Sequence, residues 1–177
     1  MKGSACCAFA GAAIAAAANF FISTASADSR DEWVRCLSAL KIPPEERIAR
    51  CTAALETGSE AWINTSRAYF NRGRAYMDNR DFGHAISDFS QVIHLYPEAT
   101  YGYAARAAAY FWHHDFDRAI ADYSHLIEVD PSDRLAFMYR GQTYEAMGNL
   151  DQSIVEYSRA LEIDPKFRTP DIAHFFA

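Results

Sequence analysis

The sequence predicts an all-α protein, a solenoid of antiparallel helical hairpins stacked side by side. Three observations carry that expectation. A proline returns every 34 residues, at Pro97, Pro131 and Pro165. The same pattern precedes each one: an aromatic (Tyr69, Tyr103, Phe137), then an arginine (Arg72, Arg106, Arg140), a small residue (Gly73, Ala107, Gly141) and a tyrosine (Tyr76, Tyr110, Tyr144). The second half of each copy pairs a small residue with an aromatic four places later, at Ala85/Phe89, Ala119/Tyr123 and Ser153/Tyr157. Aliphatic residues seven apart accompany them, at Ile86/Ile93, Ile120/Ile127 and Ile154/Leu161. Recurrence at i, i+3/i+4 and i+7 is helical, and a turn interrupts it once per copy.

Residues 1–27 read as an address rather than as part of the fold. Met1-Lys2 gives a minimal positive start, Ala5 to Ile22 is an uncharged apolar run, and Ala25-Ser26-Ala27 is a cleavage signal ahead of Asp28. That is the layout of a signal peptide. The alternative is a retained anchor, because the run approaches the ~18 residues of a spanning helix. Cleavage leaves 150 of the 177 residues, and loss of Lys2 takes the net charge from −6 to −7. An acidic chain of this kind is a poor candidate for nucleic acid or anionic lipid.

Residues 28–65 are expected to form a degenerate N-terminal hairpin cap, with helices near 33–40 and 45–56 on either side of Pro43-Pro44. Ile48 aligns with Ile86, Leu55 with Ile93, and Cys51 takes the place of Phe89. Cys36 and Cys51 then face each other across the hairpin, and an exported chain meets an oxidising compartment, which favours a disulfide. Closing a loop of ~15 residues would contribute about 3 kcal/mol on the chain-entropy model. The alternative is two separately buried thiols; two cysteines without clustered histidines do not fill a zinc sphere. Solenoid ends need atypical capping units, and a crosslink would replace packing that this hairpin lacks.

Residues 66–99, 100–133 and 134–167 are three matched repeats. Antiparallel helices approach only where side chains are small, so Gly73 is expected against Ala85 and Phe89. Phe82, Phe116 and Leu150 open the second helices, and each proline stops a helix because it lacks an N–H and clashes with the preceding turn. An acid follows each repeat arginine at a constant sixteen residues (Asp88, Asp122, Glu156), which argues for one structural ion pair per repeat. Ser90, Ser124 and Ser158 recur as well, with no role visible. In 168–177, Thr169-Pro170-Asp171 is a helix start. Ile172, Phe175 and Phe176 are expected to cover the last hairpin as a short capping helix, or to form a tail that docks a partner or another copy.

This pattern at a period of 34 resembles the tetratricopeptide repeat family over residues 66–167. The resemblance implies a right-handed solenoid whose first helices line a concave groove. Carried onto this chain, the groove positions are Arg67, Asn71, Arg74, Tyr101, Ala105, Ala108, Trp112, Leu135, Tyr139, Gln142 and Glu145. It also implies a peptide partner, extended or helical. Ala105 and Ala108 leave room for it, and Tyr101, Trp112 and Tyr139 offer rigid aromatic contacts. Some members clamp a peptide carboxylate with lysine, arginine and asparagine. Asn71 and Arg74 supply part of that set, but the later repeats replace the rest with alanine, glutamine and tyrosine. Binding is therefore expected to be mainly apolar, with one acid near Arg74 at most. The family places a turn glycine where this chain has Arg80, His114 and Gly148, so the first two are expected in the left-handed conformation.

No catalytic constellation competes with this reading. His113-His114-Asp115 with Asp117 aligns with an interhelix turn, and no phosphate loop, HExxH or nucleophile elbow is present. No cofactor and no metal is expected. The expectation is a non-catalytic interaction module or scaffold of the cell envelope, exported and periplasmic in a Gram-negative bacterium, or secreted. The alternatives are a regulatory or chaperone subunit of an envelope enzyme or secretion complex, and a self-assembling structural protein joined through Phe175-Phe176.

Overall fold

Prolines and left-handed turns cut the chain into helices of 13–17 residues from the first repeat onward. The structure is a computed structural model, and its described residues are 33–37, 42–57 and 62–165. Residues 33–37 are helical (α1) and are followed by α2 (Pro44–Thr57), α3 (Trp62–Asp78) and α4 (Phe82–Leu95). Then come α5 (Thr100–Trp112), α6 (Phe116–Val129), α7 (Arg134–Ala146) and α8 (Leu150–Ile163). From α2 to α8, each helix packs against its neighbours in sequence, as a solenoid requires. The protein is an all-α solenoid; no described residue is in a strand. No described helix is long and apolar enough to cross a membrane. The readings made for 1–27 and for 168–177 fall on residues outside those described.

The turns explain part of the repeat signature. Arg80, His114 and Gly148 all have positive φ, at 57°, 62° and 80°. This lets the next amide reach back to the repeat tyrosine: Asp81 N to Tyr76 O at 2.8 Å, Asp115 N to Tyr110 O at 2.9 Å and Asn149 N to Tyr144 O at 2.8 Å. That is the Schellman closure of a helix C-terminus. The new helices start against acidic caps in two cases. The Asp81 carboxylate accepts from His84 N, and that of Asp133 accepts from Leu135 N and Ala136 N.

Close approach explains the small residues. A methyl group added at Gly73 would sit 2.7 Å from Phe89 Cε1, and one at Gly141 would sit 3.0 Å from Glu156 Cβ. Ala107 at the equivalent position is fully buried, beside Ala119 and Tyr123. The first hairpin follows the same plan with a different filler. Cys36 and Cys51 lie in its core with Ala54 and Ala68, their Cα atoms 4.7 Å apart and their sulfurs at bonding distance.

Each repeat arginine has a double duty. Arg72 Nε and Nη2 grip Asp88, each at 2.8 Å; Arg106 grips Asp122 at 2.9 and 2.8 Å; Arg140 Nη2 reaches both Glu156 oxygens at 2.8 and 2.9 Å. The remaining Nη1 donates backward to the preceding hairpin. Arg72 reaches Thr52 Oγ1 at 3.1 Å, Arg106 reaches Ser90 Oγ at 3.2 Å, and Arg140 reaches Ser124 Oγ at 2.9 Å. The recurrent serines thus receive a role that the sequence left blank. Burial pushes the Asp88 carboxyl above its ordinary range although Arg72 opposes this, and the bond to Asp88 holds Arg72 above its own. The last serine, Ser158, is exposed and donates to Ile154 O at 2.8 Å. Around it Leu150, Ile154, Val155 and Leu161 are exposed, because no described hairpin follows to cover them.

Two substitutions test this packing with opposite signs. Gly73→Ala should cost about 1–3 kcal/mol, since the Phe89 ring must shift within a filled core. Arg80→Gly should stabilise by up to about 1 kcal/mol, by relieving a left-handed non-glycine residue. Denaturant melts of both variants read the two effects; a lowered midpoint for Arg80→Gly would refute the turn assignment.

Candidate functional site

The inner face of the array is formed by α3, α5 and α7, and its side chains differ sharply in length. Where α3 carries Phe70 and Arg74 and α7 carries Met138 and Gln142, α5 carries Ala104 and Ala108. Short side chains on the middle helix let the surface sink toward α6. The result is a cavity of about 480 Å³ that reaches Tyr123 and Leu126. That volume is in the range of sites that take a small ligand or one to two large side chains. Phe70 and Tyr101 meet edge to face at one wall, with ring centroids 5.1 Å apart, and Tyr123 stacks on Tyr139 at the other, at 5.8 Å. Leu135 and Ala136 extend the second wall.

Of the residues singled out from the sequence, Arg74, Tyr101, Ala105, Ala108, Leu135 and Tyr139 line this cavity. The other five do not. Asn71 Nδ2 donates to Cys36 O at 3.4 Å, so it ties the first hairpin to α3. Trp112 stacks on Phe82 at 6.4 Å and meets Phe111 edge to face at 5.6 Å. Glu145 Oε2 accepts from the Tyr157 hydroxyl at 2.7 Å. Gln142 is half-buried and Arg67 is exposed. Phe70, Tyr123, Leu126 and Asp133 line the cavity without having been picked from the sequence. The run Ala104-Ala105 with Ala108 was the available signal, because three short side chains on one helix expose whatever lies behind.

Charges at the rim are mostly engaged. Asp78 pairs with Arg47, and Asp133 caps α7. Arg74 has no acidic partner among the described residues, which leaves one cation at the α3 side of the cavity. Burial pushes the Tyr123 phenol far above its ordinary value, with smaller contributions from Tyr139 and Asp122. Tyr139 is raised by burial and then by the Asp133 charge. Tyr157, half-buried and bonded to Glu145, is pushed up to about 12. The cavity therefore presents aromatic and aliphatic walls, neutral hydroxyls and a lone guanidinium. Nothing among these groups is arranged as a nucleophile with its base.

Sequence profiles described as tetratricopeptide repeat match residues 66–99 and 135–167. No curated protein matches the chain. Among solved structures, it is similar to MamA at 23% identity, covering 70% of this chain and 70% of that one, with a TM-score of 0.62. It is similar to YrrB, described as a tetratricopeptide-repeat protein with an unusual peptide-binding site, at 19% identity over 70% of this chain and 61% of that one, TM-score 0.63. A tetratricopeptide-repeat protein from Parabacteroides merdae matches at 18% identity over 79% of this chain and 55% of that one, TM-score 0.69. At these identities the likeness is one of fold.

The tyrosine shifts make a measurable statement about pH. A raised phenol pKa means that the folded state favours the protonated ring. The stability Tyr157 adds is therefore complete below the ordinary value of ~10 and is lost as pH rises toward 12. Titration at 295 nm should show Tyr157 ionising near 12, and Tyr157→Phe should remove that step. Loss of a step near 10 instead would contradict the Glu145 bond.

Proposed function

The chain is a member of the tetratricopeptide-repeat family, and on that premise we propose that it is a non-catalytic interaction module that holds a segment of a partner protein on its inner face. One observation carries the reading: a cavity of about 480 Å³ whose walls come from three successive hairpins and are largely apolar. A segment lying across α3, α5 and α7 would bury a bulky side chain between Phe70, Tyr101 and Tyr139, with Ala105 and Ala108 beneath it. Arg74 would receive an acidic group of the same segment. That YrrB, of the same fold, is described as having a peptide-binding site supports a peptide as the partner. The carboxylate clamp is not part of the proposal, because Asn71 is engaged with Cys36 and no further cation lines the cavity.

We place this module in the cell envelope as an exported scaffold. The support is the signal-like 1–27 segment and the Cys36–Cys51 pair, which suits an oxidising compartment. A regulatory or chaperone subunit would use the same groove and differ in binding one complex stoichiometrically. Self-assembly has its own support in the exposed apolar side chains of α8. If it operates, Ile154→Asp should convert the sedimenting species to monomer; an unchanged sedimentation coefficient would remove it.

Crosslinking the native protein in its compartment, followed by identification of the captured species, tests the main proposal. Tyr139→Ala and Arg74→Ala should each weaken capture, Tyr139→Ala by about tenfold or more if it is a hot spot, with helical content unchanged. Undiminished capture by both variants would place the partner elsewhere. Loss of helicity would mean these side chains hold the solenoid itself.

A further inference from the structure

Tyr123 presents a mismatch that its counterparts in the other repeats do not have. In the third repeat the equivalent tyrosine, Tyr157, donates its hydroxyl to Glu145 twelve residues earlier, at 2.7 Å. In the first repeat the same two positions are Phe89 and Met77, both apolar. In the second they are Tyr123 and Phe111, a hydroxyl facing a residue that can neither donate nor accept. Tyr123 is 4% exposed, and its hydroxyl, without a hydrogen-bond partner among the described residues, is not sealed off but keeps access to the cavity. It lines the inner-face cavity, and its ring stacks on Tyr139. A ligand that fills the cavity strips water from this hydroxyl, and leaving it unpaired is then costly. The surrounding lining is largely apolar, with Tyr101 and Tyr139 as further hydroxyls and Arg74, Asp78 and Asp133 as its charged members.

We propose that this pocket selects a tyrosine side chain of the partner segment, its ring between Tyr101 and Tyr139 and its hydroxyl paired with that of Tyr123. The inference rests on the groove reading above and deepens it. A phenol fits because it is flat and apolar, with one neutral polar atom at its tip. An ammonium would lose its hydration beside carboxylates that are already engaged, Asp78 with Arg47 and Asp133 as the cap of α7. Phenylalanine fills the same space but leaves the Tyr123 hydroxyl unpaired, and a site built for a hydroxyl discriminates against the analogue lacking it.

The test uses the purified full chain with two probes, p-cresol for the tyrosine side chain and toluene for phenylalanine, followed by NMR chemical-shift titration. The wild-type chain should bind p-cresol about tenfold more tightly than toluene, the size of effect one neutral hydrogen bond gives. Tyr123→Phe, which copies the residue at this position in the first repeat, should keep its fold and its toluene binding and lose the preference. Equal binding of the two probes by the wild-type chain overturns the proposal, as does a preference that survives in Tyr123→Phe or a cavity that takes neither probe. Partner capture that falls in Tyr139→Ala while the probes bind equally would leave the groove in use and refute only the tyrosine anchor.

Discussion

The structure depends on a partly buried guanidinium that holds two hairpins at once. Within its own hairpin, each repeat arginine forms a two-pronged bond to the acid sixteen residues on. Across the seam, its third N–H takes the hydroxyl of the hairpin before. Buried ion pairs are costly to desolvate, and their net stabilisation against apolar residues is small or negative. What they add is register. A planar guanidinium accepts few geometries, so the forks of Arg72 and Arg106, and Arg140 held through Nη2, constrain how far each hairpin slides and rotates on its predecessor. Apolar packing alone, between alanines and aromatic rings, would tolerate neighbouring arrangements.

That register is what makes the inner face a site. Phe70, Tyr101 and Tyr139 lie on three different helices, and no contact within one hairpin brings them together. The fork of Arg106 sets α5 against the hairpin of α3 and α4, and that of Arg140 sets α7 against the hairpin of α5 and α6. With the spacing fixed, the alanines of α5 open a depression instead of collapsing, because the flanking helices are held apart by their own stitches. The cap obeys the same rule: Thr52 stands for Ser90, and the chain between it and Arg72 is four residues longer than in the repeats, twenty instead of sixteen.

Most of the fold was legible from periodicity. The helices from α3 to α8 and the Arg–acid pairs follow from a residue type recurring at a fixed offset; the positive-φ turns at Arg80 and His114 follow from the family's glycine position, and the opposed cysteines from their equal distances to Pro43-Pro44. A repeat exposes such offsets because every copy must satisfy the same contacts. The groove was less legible for the same reason, since function there depends on what differs between copies. Asn71 and Trp112 occupy groove positions by alignment, but local neighbours, Cys36 and Phe82, claim their side chains. Tyr123 occupies a core position by alignment, but short residues in front of it bring it to the cavity. The seam serines were visible as a pattern and opaque as chemistry. Their partner is an arginine sixteen residues later, in the next repeat, and each arginine already had an obvious acid.

The claim that the fork couples neighbouring hairpins is tested most directly by a double-mutant cycle on Arg106 and Ser90, with stability read from urea unfolding of Arg106→Met, Ser90→Ala and the double variant. The account predicts non-additivity, a coupling of about 0.5 kcal/mol or more across the seam. Losses that add to within about 0.3 kcal/mol would contradict it. The arginine would then serve only its own acid, and the register of the array would have to come from apolar packing.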